Sequence, residues 1–95
     1  MQEIPKEKLD KYFAVAEQAL SVVKIVDDGK IDWKKAAEEF LDTAQRYVKD
    51  AYHFREKGDW VTAFAALNYA HGWLDAGARL GLFDVGHDSN LFSVD

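Results

Sequence analysis

Residues 56–85 read EKGDWVTAFAALNYAHGWLDAGARLGLFDV, and this stretch predicts the end of one helix, a tight turn and a second helix. Gly58 can adopt the left-handed conformation that ends a helix, and the Asp59 carboxylate can accept hydrogen bonds from the free amides that begin the next one. Alanines at intervals of three and four then leave one face of the second helix with little bulk: Ala63, Ala66 and Ala70. We therefore expect two helices that fold back on each other with closely approaching backbones.

The spacing of apolar residues predicts three helices in total. The first, about residues 5–26, begins near Pro5, which a first helical turn tolerates. Its apolar residues recur at alternating steps of four and three: Leu9, Phe13, Ala16, Leu20 and Val23. The second, about residues 32–57, has Asp32 as its cap. Its apolar residues follow heptad spacing: Trp33, Ala37, Phe40, Ala44, Tyr47, Ala51 and Phe54. The third runs over about residues 60–80 and ends at Gly81, again a left-handed cap.

These helices match in length well enough to lie side by side. At about 1.5 Å per residue they would be on the order of 30–40 Å long. The sequence therefore predicts an all-α fold, an up-down-up three-helix bundle that forms a single domain over residues 1–95. Residues 81–95 are too few for a further helix of this size and too rich in Leu and Phe for a fully solvated terminus. We expect this tail to pack on the bundle.

Composition excludes several functional classes. The chain has no cysteine, which rules out disulfides and thiolate metal sites. Its net charge of −5 comes entirely from residues 36–95, and the few lysines near the amino terminus alternate with acidic residues, so nucleic acid is not an expected partner. No window approaches the roughly 18 apolar residues of a membrane span, and the amino terminus lacks the apolar core of a signal peptide. We expect a soluble chain without a membrane partner.

A family resemblance rests on motifs within the same stretch. These motifs are Glu56-Lys57-Gly58-Asp59, the Ala-Phe-Ala-Ala run at 63–66, Asn68-Tyr69-Ala70-His71-Gly72, and Asp75-Ala76-Gly77 leading into Gly81-Leu82-Phe83-Asp84. With them the sequence resembles the archaeal family called domain of unknown function 357. The resemblance implies a closed, left-handed bundle of the up-and-down kind and an archaeal, cytoplasmic setting. Because no activity comes with the family, the resemblance implies no catalytic residue.

The best candidate for a chemical site is a polar stripe on the third helix: Asn68, His71, Asp75 and Arg79. By helical projection the four lie within roughly 80° of one another. His71 and Asp75 are spaced i, i+4, so an imidazole and a carboxylate could share a metal ion or form a carboxylate-oriented base. Two ligands do not complete a zinc site. The alternative pairs Asp75 with Arg79 and lets His71 bond to backbone or to the tail. We favour this structural interpretation, with no catalytic, cofactor or metal role.

Calcium is a second possibility that the sequence argues against. Residues 27–32 resemble the centre of an EF-hand loop, with Gly29 at the bend. The frame then places Lys24, Val26 and Lys35 where the loop needs oxygen ligands. A turn between helices with an acidic cap explains this segment better.

Surplus apolar side chains point instead to binding. On the first helix a second apolar line lies away from the Leu9 face: Val15, Val22 and Ile25. Leu91 and Phe92 lie beyond the turn-prone residues 86–90, where a terminus is free to dock on another chain. Scattered surface valines are common, so the line on the first helix is equally well explained as ordinary surface. The Trp and Tyr side chains at 12, 33, 47, 60, 69 and 73 are predicted to fill the core rather than to form a ligand cage.

Two functional hypotheses follow. The leading one is a small, non-catalytic helical module that binds an unidentified protein or a second copy of itself. The alternative, from a different class, is a small enzyme or metal-dependent protein that uses the polar stripe. A cleft-facing His71 with strongly perturbed chemistry would favour the alternative.

Overall fold

A computed structural model describes residues 4–27, 29–86 and 91–92 of the chain. Its three helices are α1, Lys6–Val22, α2, Trp33–Glu56, and α3, Trp60–Leu80. The described residues contain no strand, so the predicted all-α class with three helices is confirmed. The chain divides into two compact units, residues 1–30 and 31–95, which are described in turn. The closed, left-handed arrangement and the single domain stay predictions.

The first unit contains α1. Pro5 precedes the helix in an extended conformation, and within the first turns Lys6 Nζ lies 2.9 Å from Asp10 Oδ2. The predicted end near residue 26 was wrong, because α1 ends at Val22 and Val23 is already extended, with φ −73° and ψ 133°. Four β-branched residues occupy positions 22, 23, 25 and 26, and no glycine follows directly to cap the helix. β-Branched residues are poor helix formers, which explains the early end.

The second unit is built on the antiparallel hairpin of α2 and α3, and its turn forms as the sequence predicts. Gly58 has φ +79°, and the Asp59 amide donates to the Phe54 carbonyl at 2.9 Å, the long hydrogen bond of a Schellman motif. The Asp59 carboxylate then accepts from the Thr62 amide at 3.1 Å and caps α3. Gly58 and Asp59 together therefore reverse the chain within three residues.

Both remaining predicted caps are also confirmed. The Asp32 side chain accepts from the Lys35 amide at 3.0 Å and begins α2. At the end of α3, Gly81 has φ +79° and the Leu82 amide donates to the Gly77 carbonyl at 2.9 Å. This second Schellman motif turns the chain back toward the helix, and the Phe83 ring lies against Gly77.

Alanines form the interface between α2 and α3. The buried hydrophobic residues among those described are all alanines: Ala44, Ala51, Ala63, Ala66 and Ala70. Three of them cluster with the half-buried Phe54 next to the turn: Ala51, Ala63 and Ala66. Phe54 therefore packs against the alanines next to the turn. Because an alanine adds only a methyl group, the two backbones can approach closely along the interface.

Aromatic rings lie beside this interface rather than inside it. Phe40 and Trp73 meet edge to face with ring centroids 4.8 Å apart, and Tyr47 and Tyr69 meet at 4.5 Å. The Tyr69 and Trp73 centroids are 6.3 Å apart, which joins the two pairs into one aromatic row along one side of the hairpin. Such edge-to-face and tilted pairs each contribute about 0.5–1.5 kcal/mol beyond their buried area.

The prediction that the Trp and Tyr side chains fill the core was wrong for most of them. Trp60 is 74% exposed, Trp33 is 54% exposed and Tyr69 is 52% exposed. In the hairpin, the alanine interface leaves no room for a ring between the helices, so rings at neighbouring positions lie on its flanks. Helical spacing identifies the correct side of each helix but cannot distinguish the centre of an interface from its edge.

Replacing Asp59 by Ala is expected to lower the free energy of unfolding by about 0.5–2 kcal/mol, because the first amides of α3 lose their side-chain acceptor. Urea denaturation followed by circular dichroism measures this change. Asp50, exposed in the middle of α2, provides the matched control. Equal losses for Asp59→Ala and Asp50→Ala would show that the cap adds nothing beyond a charge effect.

Candidate functional site

The residues of the polar stripe all lie on α3, on the surface of the hairpin. Asn68, His71 and Arg79 are exposed, and Asp75 is half-buried. The His71 imidazole stacks on the Phe92 ring, with centroids 6.0 Å apart and planes 17° from parallel. His71 thus contacts the tail, one of the two partners that the structural alternative gives it. An exposed imidazole against a phenyl ring is not arranged as a base oriented by a carboxylate.

Metal-binding geometry is not found in the part of the chain that the structure describes. No group of three or more His, Asp and Glu side chains comes together there. His53 is exposed on α2, where its ring lies 5.9 Å from that of Phe54. The third histidine, His87, and Asp28 of the loop at residues 27–32 lie outside the described residues.

Zinc, manganese and calcium are expected to bind weakly or not at all. Two potential ligands on one helix leave any of these ions under-coordinated, and an EF-hand needs oxygen ligands at the positions that Lys24, Val26 and Lys35 occupy. Isothermal titration calorimetry checks this, with His71→Ala as the paired variant. Micromolar binding that disappears in His71→Ala would contradict the prediction and move the enzyme or metal-dependent alternative ahead.

An apolar groove, which we call the Leu67 groove, runs between α2 and α3 on the side opposite the aromatic row. Two adjoining depressions form it, and both contain Val48 and Leu67. Its walls come from Val48, Tyr52, Leu67, His71 and Leu74, and its floor from Ala51, Ala63 and Ala70. The floor is shallow because its residues are the interface alanines, so the larger residues on either side stand above it.

The two ends of the Leu67 groove each carry a planar nitrogen group against an aromatic ring. At the turn end, the Arg55 guanidinium carbon lies 4.9 Å from the centroid of the Tyr52 ring. At the other end, the His71 imidazole lies against Phe92. The groove is therefore apolar along its length and polar at its limits, which is the usual pattern of a protein interaction surface with an apolar centre and a polar rim.

Exposed apolar side chains continue from the groove along α3. Trp60, Phe64 and Leu67 are spaced i, i+4 and i+7 and are 74%, 67% and 46% exposed. Tyr52, across the groove on α2, is 55% exposed. Trp60, Phe64 and Leu67 share one side of α3, and Leu67 lines the same depression as Tyr52, so we infer that they form one contiguous apolar surface. Large surfaces of this kind mark interaction sites.

The interaction residues that the sequence singled out fall in different places. Val15 and Val22 lie on α1 and are 53% and 68% exposed, whereas Ile25, at 96%, lies beyond the helix end. The three therefore do not form one helical line, which corrects that part of the interpretation. Leu91 is 69% exposed, while its neighbour Phe92 is half-buried against His71.

Sequence reasoning missed the α2 wall of the Leu67 groove. Leu41, Val48 and Tyr52 are spaced i, i+7 and i+11, which places them on one line of α2. This line was the available signal. It was masked by the stronger heptad on the adjoining face, which accounts for the packing of α2 on α3.

Comparison with known proteins places the chain in a family without an assigned activity. None of the three helices has the length and hydropathy of a membrane-spanning segment within the described residues. No curated protein and no solved structure matches the sequence. One family does match, over residues 11–83, which is well over half of the chain and includes all the residues of the polar stripe and the Leu67 groove. The chain therefore belongs to the family described as "Protein of unknown function (DUF357)".

Proposed function

We propose that this protein is a small, non-catalytic helical module that binds another protein through the Leu67 groove and the exposed apolar residues next to it. The observation that carries the proposal is the contiguous apolar surface of Tyr52, Phe64 and Leu67, each about half exposed or more. Burying one large apolar side chain contributes about 1.5–3 kcal/mol. A partner that covered three such side chains would gain enough free energy to offset a substantial part of the cost of association.

The form of the groove indicates the kind of partner. Two antiparallel helices with small residues between them leave a long, shallow channel, and an amphipathic helix fits such a channel with apolar side chains at positions i, i+3, i+4 and i+7. The net charge of −5 argues against nucleic acid as the partner. The partner is another protein or a second copy of this chain.

The enzyme alternative has less support from the residues that it requires. Its central group, His71, is exposed and stacked on Phe92, whereas an active-site base is normally held in a cleft beside a group that orients it. The described residues also contain no buried polar side chain that would line a reaction site.

Photo-crosslinking in the native cell tests the proposal. A photoreactive phenylalanine analogue is placed at position 64, on the apolar surface, or at position 65, the adjacent exposed alanine that projects to another side of α3. We expect a discrete crosslinked product from position 64 and none from position 65. Mass spectrometry of that product identifies either a different protein or a second copy of this chain.

A product of the same mass and yield from both positions would contradict the proposal, because it would show contact without a preferred face. The absence of a product from position 64, and from a second position at Leu67, would contradict it as well. Circular dichroism of each variant confirms that the helices are retained.

A further inference from the structure

The tail begins by folding back along α3. After the Schellman motif at Gly81, the Phe83 ring lies against Gly77, three residues before the end of the helix. The Asp84 carboxylate then accepts from the Gly86 amide at 3.3 Å, and Gly86 itself has φ +77°. The chain thus turns back onto the end of α3 before residue 87.

Phe92 reaches His71, nine residues before Leu80 and therefore about 14 Å along the helix. Phe92 lies eleven positions after Gly81, a length of chain that can span up to about 36 Å and so exceeds the distance required. His71, on which Phe92 stacks, also forms part of the wall of the Leu67 groove, so Phe92 covers one residue at the His71 end of that groove. Its neighbour Leu91 is 69% exposed and does not share this position.

We propose that Phe92, stacked on His71 at the end of the Leu67 groove, is an intramolecular competitor for the His71 ring, which a partner segment carrying its own aromatic side chain displaces. The inference rests on the interaction role proposed for the groove. The chemistry of the partner follows from the occupant seen in the structure: a ring that stacks on His71 at one end and apolar side chains that continue over Leu74 and Leu67. The second copy of this chain supplies such a ring as well, through its own Phe92.

A tethered competitor lowers the affinity of the groove without changing its contacts. Short flexible tethers give effective concentrations in the millimolar range. If the tail covers the groove for about nine-tenths of the time, the apparent affinity for a partner falls about tenfold, since only the open fraction can bind. Removal of the Phe92 ring should therefore strengthen the binding of an aromatic segment supplied in solution.

Nuclear magnetic resonance of the full-length protein tests this inference through the His71 ring signals. The Phe92→Ala variant should shift the His71 ring protons and leave those of His53 unchanged, because only His71 stacks on Phe92. An unlabelled peptide with the sequence of residues 86–95, GHDSNLFSVD, is then titrated into labelled wild-type protein and labelled Phe92→Ala. We expect the peptide to restore the His71 shift in the variant, with an apparent dissociation constant about tenfold or more below that for the wild type.

Matched controls distinguish the effect of the Phe92 ring on the His71 signal from the effect of the rest of the tail. The Leu91→Ala variant should keep the wild-type His71 signal, and a peptide with Ala in place of Phe92 should leave Phe92→Ala unaffected. A His71 signal that depends on protein concentration would overturn the intramolecular assignment in favour of tail exchange between copies. Equal peptide affinity for wild type and Phe92→Ala would overturn the competition itself. Neither result bears on the crosslinking experiment, so the two proposals fail independently.

Discussion

Replacing Ala70 by Trp is expected to lower the free energy of unfolding by at least about 1–3 kcal/mol through overpacking. Ala70 is 1% exposed, as is Ala44 on the facing helix. The aromatic contacts Phe40–Trp73 and Tyr47–Tyr69 bracket this pair of alanines on both helices and fix the helix separation there. A ring at position 70 must therefore force the two helices apart along several turns. Urea denaturation followed by circular dichroism measures the loss.

The control for this prediction is Ala65→Trp, since Ala65 lies on the exposed side of the same helix. Its substitution costs a few tenths of a kcal/mol in helix propensity and creates no overlap. Ala63, 7% exposed in the same interface, should behave like Ala70. If Trp at position 70 is tolerated as well as Trp at position 65, the close-approach interpretation of the alanines is wrong.

Local signals made most of the helix boundaries predictable. Asp32, Gly58, Asp59 and Gly81 act through hydrogen bonds that reach no farther than five residues along the chain, so their roles follow from sequence alone. The end of α1 was missed because it has no cap residue. There the weak helix propensity of consecutive β-branched residues decides the boundary, and the continuing apolar pattern obscured that effect.

The binding surface was much less predictable than the helices. Its position depends on which residues of α2 and α3 face each other, and that pairing is set by packing between residues distant in sequence. Helical projection places Leu67 and Leu74 on the apolar side of α3 but gives no means to tell which of them remains open. The polar stripe follows from helical spacing within one helix. Its contact with Phe92 depends on the path of the tail, which short-range patterns do not specify.

The two glycines inside α3 should respond oppositely to alanine. At Gly72 a methyl group would meet nothing within 4 Å, and Gly72→Ala should raise the free energy of unfolding by about 0.5–1 kcal/mol through better helix propensity. At Gly77 the same methyl group would lie no farther than 3.0 Å from three atoms of the Phe83 ring. Gly77→Ala must displace that ring, whose burial contributes about 1.5–3 kcal/mol. We expect a net loss of about 1–2 kcal/mol.

A double-mutant cycle with Phe83→Ala shows whether the ring is the cause. Phe83→Ala alone should be destabilising, because the half-buried ring packs on the end of the helix next to Gly77. Once the ring is absent, Gly77→Ala no longer creates an overlap, and only its gain of up to about 1 kcal/mol in helix propensity remains. The effect of the same substitution should therefore change sign between the two backgrounds, from a loss to a gain, as measured by urea denaturation. A loss of similar size in both backgrounds would mean that Gly77 is required for the close approach of α2 rather than for the packing of the Phe83 ring. The tail would then add little to the stability of the hairpin.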